Sequence, residues 1–153
     1  MEVKMTRVDY VRTFKLGDAA EQKVREHFEG KGFLVTKLDY KVFKYDLSAI
    51  KGDRRLSIEV KSYNPDGGFY TVPAEYEQYS TGISDYIAYA DRIDYIIWVN
   101  GFTDVGYVFD CKDFAKYVVE HKDEAKPQSY GTASTMRIHH ECKAAGFLGT
   151  INL

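Results

Sequence analysis

Residues 45–62 read YDLSAIKGDRRLSIEVKS, two alternating runs joined by Gly52-Asp53. A Gly-Asp pair between such runs marks a two-residue hairpin turn. That turn sets the register. Lys51 then stands opposite Arg54, Ser48 opposite Ser57, Asp46 opposite Glu59 and Lys44 opposite Lys61. Successive side chains point to opposite faces of a strand, so Lys44, Asp46, Ser48, Ser57, Glu59 and Lys61 share one face. Tyr45, Leu47, Ala49, Leu56, Ile58 and Val60 share the other, which is apolar and is expected to meet the core.

Directly opposed side chains have Cβ atoms roughly 4.5–5.5 Å apart, and like charges placed so repel each other. A hairpin selected for stability alone would rarely set Asp46 against Glu59. A divalent cation reverses the sign of that interaction, and Mg²⁺ prefers a few carboxylate oxygens while keeping several waters. The other reading is a solvated face on which Lys44 and Lys61 offset the acids. The hairpin by itself leaves both open.

Outward from the hairpin, GDAAEQKVREHFEGKG (residues 17–32) predicts a helix. Leu16, Ala20, Val24 and Phe28 recur every four residues along one stripe, and Gly30 and Gly32 end it. FLVTKLDY (33–40) is expected to be a strand, and segments 42–50 and 55–63 are expected to form the hairpin. YTVPAEYEQYSTGIS (70–84) reads as a short strand followed by loop or helix. DYIIWVNG (94–101) is a continuous apolar run of buried-strand type, with VGYVFD (105–110) as its partner. CKDFAKYVVEHK has helical spacing through Phe114, Tyr117 and Val118. Residues 123–135 read as a polar loop, and the tail from Met136 shows no single period. The class is α/β, a sheet with helices packed on it. With no repeat or linker, residues 1–153 are read as one domain.

Charge is unevenly spread. Residues 1–62 hold 14 Lys and Arg against 10 Asp and Glu, and residues 63–153 hold 7 against 13. A basic half beside an acidic half permits an anionic ligand on one side, although the net charge of −2 excludes a wholly basic nucleic-acid binder. Cys111 and Cys142 lack metal-site or disulfide-framework spacing, which points to reduced thiols and a cytoplasmic protein. No apolar run suits a signal peptide or a membrane span.

An acid-bearing helix, a strand ending near an aspartate, a turn, and then Glu59-Val60-Lys61 on the next strand form a recognisable order. In these residues the chain resembles the PD-(D/E)xK nuclease superfamily, the restriction-endonuclease-like fold. The motif spans about residues 17–62, with Tyr45 where the family name has proline; residues 94–119 agree in element order only. The segment YSTGISDYIAYADRIDYIIW (79–98) is similar to one in small phage-type members.

The resemblance implies a central mixed β-sheet with flanking helices, an αβββαβ-type core. It implies that Asp46, Glu59 and the Val60 carbonyl hold Mg²⁺, with Mn²⁺ as a substitute. Lys61 would orient the attacking water or stabilise charge on the phosphate. Glu21 would add a metal or water contact, although Asp18-Ala-Ala-Glu21 also fits a helix-capping pattern. Lys44, Lys51, Arg54 and Arg55, with Ser80 and Ser84, are the expected DNA contacts. The implied activity is a Mg²⁺-dependent endodeoxyribonuclease of phage or mobile-element type, in a bacterial or archaeal host. A homing-type endonuclease and a Holliday-junction resolvase both fit. One hairpin site cuts one strand, so double-strand or branched-DNA cleavage implies a homodimer or larger homo-oligomer. The alternative is a DNA-binding or interaction module that kept the fold and lost activity; the complete Asp46, Glu59 and Lys61 set argues against it.

Remaining candidates are weaker. His139-His140-Glu141-Cys142 holds metal-capable side chains, but neighbours on a strand face opposite ways. No GxxxxGK, HExxH or GxSxG motif occurs, which removes the NTPase, zincin and serine-hydrolase readings.

Overall fold

The computed structural model describes residues 7–63, 69–76, 85–124, 126–127 and 133–153. Its main sheet has six strands in the order β1 (Leu34–Lys37), β2 (Leu47–Lys51), β3 (Arg54–Tyr63), β5 (Tyr95–Asn100), β6 (Val105–Asp110) and β9 (Phe147–Asn152). β3 and β5 are parallel and every other neighbouring pair is antiparallel, so the sheet is mixed. In a smaller sheet β8 (Ala133–His139) is the middle strand, pairing antiparallel with β4 (Phe69–Tyr76) on one side and with the two-residue β7 (Lys126–Pro127) on the other. Among the described residues the α-helices are α1 (Arg7–Gly30), α2 (Tyr40–Phe43), α3 (Asp85–Ala88) and α4 (Cys111–Glu120).

The hairpin register is the one the turn requires: Lys51 pairs with Arg54, Ser48 with Ser57 and Leu47 with Ile58. Gly52 supplies the positive φ, +58°, needed at the first central position of a II′-type turn. β1 then adds to the outer side of β2, through Val35 opposite Ala49.

Both faces of the hairpin are covered. On one, Ala20 and Val24 of α1 pack with Leu47, Ala49, Ile58 and Val60, joined by Ile97 and Val99 of β5. On the other, Ile96, Trp98 and Phe109 pack under Tyr86 of α3 and Phe114 and Val118 of α4. Because β3 is an interior strand with a layer on each side, the face carrying Ser48 and Glu59 is buried rather than solvated. Phe114 and Phe109 are fully buried and meet edge to face at 5.3 Å, and burying a side chain of this size contributes roughly 1.5–3 kcal/mol.

Several expectations are corrected. α1 begins at Arg7, ten residues before Gly17, so Glu21 lies mid-helix and cannot close a cap with Asp18. Residues 42–46 are not strand: α2 and a left-handed Lys44 (φ +67°) take the chain out of the sheet before β2 begins. Alternation therefore stops at Leu47, and Tyr45 joins the cluster of Trp98 and Phe114 rather than that of Leu47. The polar run 123–135 contributes β7 and the start of β8, and the tail supplies the rest of β8 and all of β9.

Candidate active site

The site forms where β2 leaves β3. The Asp46 N–H donates to the Ile58 carbonyl at 3.2 Å, and the Asp46 carbonyl accepts from the Leu38 N–H at 2.9 Å. One step further, Asp46 Oδ2 accepts from the Val60 N–H at 2.8 Å. The side chain thus continues the ladder that the departing backbone leaves unfinished. This bond ties the Asp46 carboxylate to the strand carrying Glu59 and Lys61.

Glu59 is 1% exposed, in the middle of the sheet opposite Ile96. Its Oε2 is buried without a hydrogen-bond partner. Its Oε1 has the Lys61 Nζ at 3.9 Å, close enough for charge attraction but too far for a hydrogen bond. Burial pushes the Glu59 carboxyl well above the ordinary carboxylate range. Lys61 opposes that rise; hydrogen bonding to the Asp46 carboxyl, then the charges of Asp46 and Glu21, add to it. A buried carboxyl facing other acids keeps its proton unless a cation replaces it.

Lys61 is about one-third exposed, 34%, so its ammonium bridges the buried acid and solvent. Its Nζ lies over the Tyr86 ring at 5.3 Å, within cation–π range. Tyr86 escaped the sequence reading. It lies in the 79–98 segment that the resemblance picked out, but attention there fell on Ser80 and Ser84, which lie outside the described residues. Cys111 is the other missed neighbour. Its buried thiol is pushed up to about 12 by burial first and then by Glu59, Asp110 and Asp94, which keeps it protonated and inert.

Glu21 reaches the edge of the site from α1. Lys37 lies 3.7 Å from its Oε1, and burial followed by the Asp46 charge raises its carboxyl above the ordinary range despite that lysine. Among the described residues, no group of three or more His, Cys, Asp or Glu side chains converges on one metal position. Glu21 thus lies at the rim rather than in a three-carboxylate cluster with Asp46 and Glu59, and among the described residues His139-His140-Glu141-Cys142 makes no metal cluster either. Asp46 and Glu59 still fit a hard divalent cation. An orphaned, desolvated carboxylate oxygen beside a second carboxyl is the donor set such an ion takes up, with waters completing its shell.

The expected DNA-contacting cations divide. Lys44 is at the site end, its Nζ 5.7 Å from the Tyr89 ring centroid. Lys51, Arg54 and Arg55 are exposed at the hairpin tip, and Arg54 is five residues along β3 from Glu59, roughly 16 Å at strand spacing. They flank the site without entering it.

The arrangement was compared with known proteins. No family model and no curated protein matches the sequence. Among solved structures, the bacterial homing endonuclease I-Ssp6803I superposes with a TM-score of 0.56 at 23% identity, over 82% of this chain and 77% of that one. This chain has the restriction-endonuclease-like fold. Hjc, a Holliday junction resolvase from Archaeoglobus fulgidus, matches with a TM-score of 0.45 at 12% identity, over 87% of this chain and 98% of that one. Asp46, just before β2, is tied by its side chain to Val60 of the Glu59-Val60-Lys61 run on β3.

Proposed function

We propose that this chain is a divalent-metal-dependent DNA endonuclease whose site is Asp46, Glu59 and Lys61. The observation that carries the reading is the buried, unpartnered Oε2 of Glu59, set beside Asp46 and within reach of the Lys61 charge. A structural hairpin gains nothing from such a group, because a desolvated carboxylate oxygen without a partner is destabilising. The fold shared with a homing endonuclease supports the reading.

Asp46 and Glu59, with the Val60 main chain, would hold Mg²⁺ or Mn²⁺, which supplies Lewis acidity at the phosphate and a bound water acidic enough to attack near neutral pH. Asp46 is positioned for this by its bond to the Val60 N–H, which fixes one carboxylate oxygen and leaves the other to turn toward Glu59. Glu59 must give up its proton before it can ligate, so ion binding competes with protonation. Lys61, anchored over Tyr86 and partly exposed, faces the side from which a phosphate enters and offsets the extra negative charge of the transition state. Glu21, paired with Lys37, adds negative potential from α1 and orders solvent at the rim.

The same reading extends to a homodimer that cuts both strands and to action in the cytoplasm of a bacterial or archaeal host. The test is incubation of the protein with supercoiled plasmid, single-stranded DNA and a four-way junction, with and without Mg²⁺. The wild type is expected to cut at least one of these only with metal, and Glu59→Ala none. Cleavage that persists in Glu59→Ala would remove the site from this hairpin.

A further inference from the structure

Between β1 and β2 the chain makes a closed excursion over residues 39–45. Its base is stitched by the Leu38 N–H to the Asp46 carbonyl at 2.9 Å, so the excursion springs from the candidate site itself. Its tip is α2, whose N-cap Asp39 accepts from the Lys41 N–H at 3.0 Å. The Phe43 N–H donates to the Asp39 carbonyl at 3.0 Å, and the Lys44 N–H to the Tyr40 carbonyl at 2.9 Å. The main chain of the tip is thus satisfied and held in one shape.

Packing accounts for the side chains only in part. No residue of α2 is buried. Val42 is 63% exposed and Phe43 41%, adjacent on the same turn and next to an exposed Tyr40. Phe43 meets the Tyr45 ring edge-on at 6.4 Å, but its remaining surface and that of Val42 are exposed together on a rigid protrusion, which marks a surface for a partner. The setting selects the partner, since Lys41 lies between the apolar residues and Lys44 follows them. Asp39, the one acid of the segment, has its carboxylate occupied by the cap bond. Basic side chains alternating with apolar ones suit a polyanion with a stacked apolar interior. Nucleic acids are that polymer, and apolar side chains wedged between base pairs unstack and bend the duplex.

We propose that the α2 tip is a DNA-opening wedge: Val42 and Phe43 insert between bases beside the scissile phosphate while Lys41 and Lys44 hold the flanking backbone. This rests on the nuclease reading and adds a substrate class, DNA that is already bent, bulged or branched near the cut. A perfect duplex must be unstacked at the wedge, whereas a bulged one is open in advance. The lysines act without regard to base pairing.

The experiment uses two duplexes of one sequence, fully paired or with a single-nucleotide bulge, each carrying 2-aminopurine at the same position. Binding is followed by anisotropy and unstacking by 2-aminopurine fluorescence, in calcium buffer, for the wild type and for Val42→Ser/Phe43→Ser. Both positions are exposed, so the double variant should melt like the wild type. The wild type is expected to prefer the bulged duplex by about tenfold and to raise the fluorescence of both. The double variant should lose that preference and the fluorescence rise, yet keep the salt-dependent part of its affinity. A double variant with unchanged preference overturns the wedge. So does one whose only defect is the loss of a dimer in sedimentation, because the apolar tip would then be a protein interface. If the wild type cuts DNA with metal but shows neither preference nor fluorescence change, the wedge fails and the nuclease reading stands. If it neither binds nor cuts any DNA, both fall together.

Discussion

The two ends of the β2–β3 hairpin share one register and are both charged, yet they are opposite environments. At the tip, Lys51 and Arg54 face each other in water. The Lys51 Nζ donates to the Lys31 carbonyl at 2.7 Å, and both cations lie 5.6 Å from the Phe33 ring centroid. Like charges tolerate each other there because solvent screens them and the aliphatic stems cover apolar surface. At the root, Glu59 is buried and no protein donor reaches its Oε2. Repulsion that costs little at the tip becomes a demand for a cation at the root. The difference lies in what covers each end, and it separates a surface that can attract DNA from a site that can act on it.

The sharpest way to break that contrast is to neutralise the root without changing its shape. Glu59→Gln and Asp46→Asn should each lower metal-dependent cleavage by about 10³-fold or more, several kcal/mol of barrier. Equal activity in a single-turnover assay would place the chemistry elsewhere. Lys61→Ala should cost about 10²–10³-fold, as loss of one positioned charge stabiliser does. Because Tyr86 carries the ammonium, Tyr86→Leu should produce a smaller loss in the same assay.

At the tip, effects should fall on affinity and spare chemistry. Arg54→Ala with Arg55→Ala should weaken binding by about tenfold at low salt and reduce the salt slope by about two. The cleavage rate at saturating DNA should stay within a few-fold of the wild type. A collapse of that rate would mean that the tip reaches the reacting phosphate.

The smallest effect is on stability. Folded Glu59 holds its proton to higher pH than the unfolded chain does. The metal-free protein should therefore be fully stabilised by this group below the ordinary carboxylate range. That contribution is lost as pH rises through the raised folded value. Glu59→Gln should melt with a flatter pH dependence across that window, read by circular dichroism in chelator.

The register of the hairpin was legible because a two-residue turn leaves one alignment, and Gly52 can take the left-handed conformation it needs. The expected ladder pair of Asp46 with Glu59 is not formed: β2 begins at Leu47, the Asp46 N–H goes to the Ile58 carbonyl, and the Asp46 side chain meets the Val60 N–H. Burial of the face carrying Glu59 was not legible. Tyr86, whose ring lies under the Lys61 ammonium, comes from α3, well downstream in the chain, and alternation shows only which residues share a face. The excursion through α2 was hidden for a similar reason. Phe43, Tyr45 and Leu47 alternate with Lys44 and Asp46, whereas the left-handed Lys44 and the Asp39 cap break the strand. β8 and β9 lack a distinctive period of their own and depend on β4 and β6 as partners. The first turns of α1 precede the apolar stripe of Ala20 and Val24, so the stripe dated the helix ten residues late.

The claim that Asp46 and Glu59 form a cation site is tested most directly by thermal melting with and without Mg²⁺ at pH 8. A ligand that binds only the folded state raises its stability by about 2.7 kcal/mol at a hundred times its dissociation constant. The wild type and Lys61→Ala should therefore melt higher with Mg²⁺, while Glu59→Gln and Asp46→Asn should not respond. A Glu59→Gln protein stabilised by Mg²⁺ as strongly as the wild type would contradict the account.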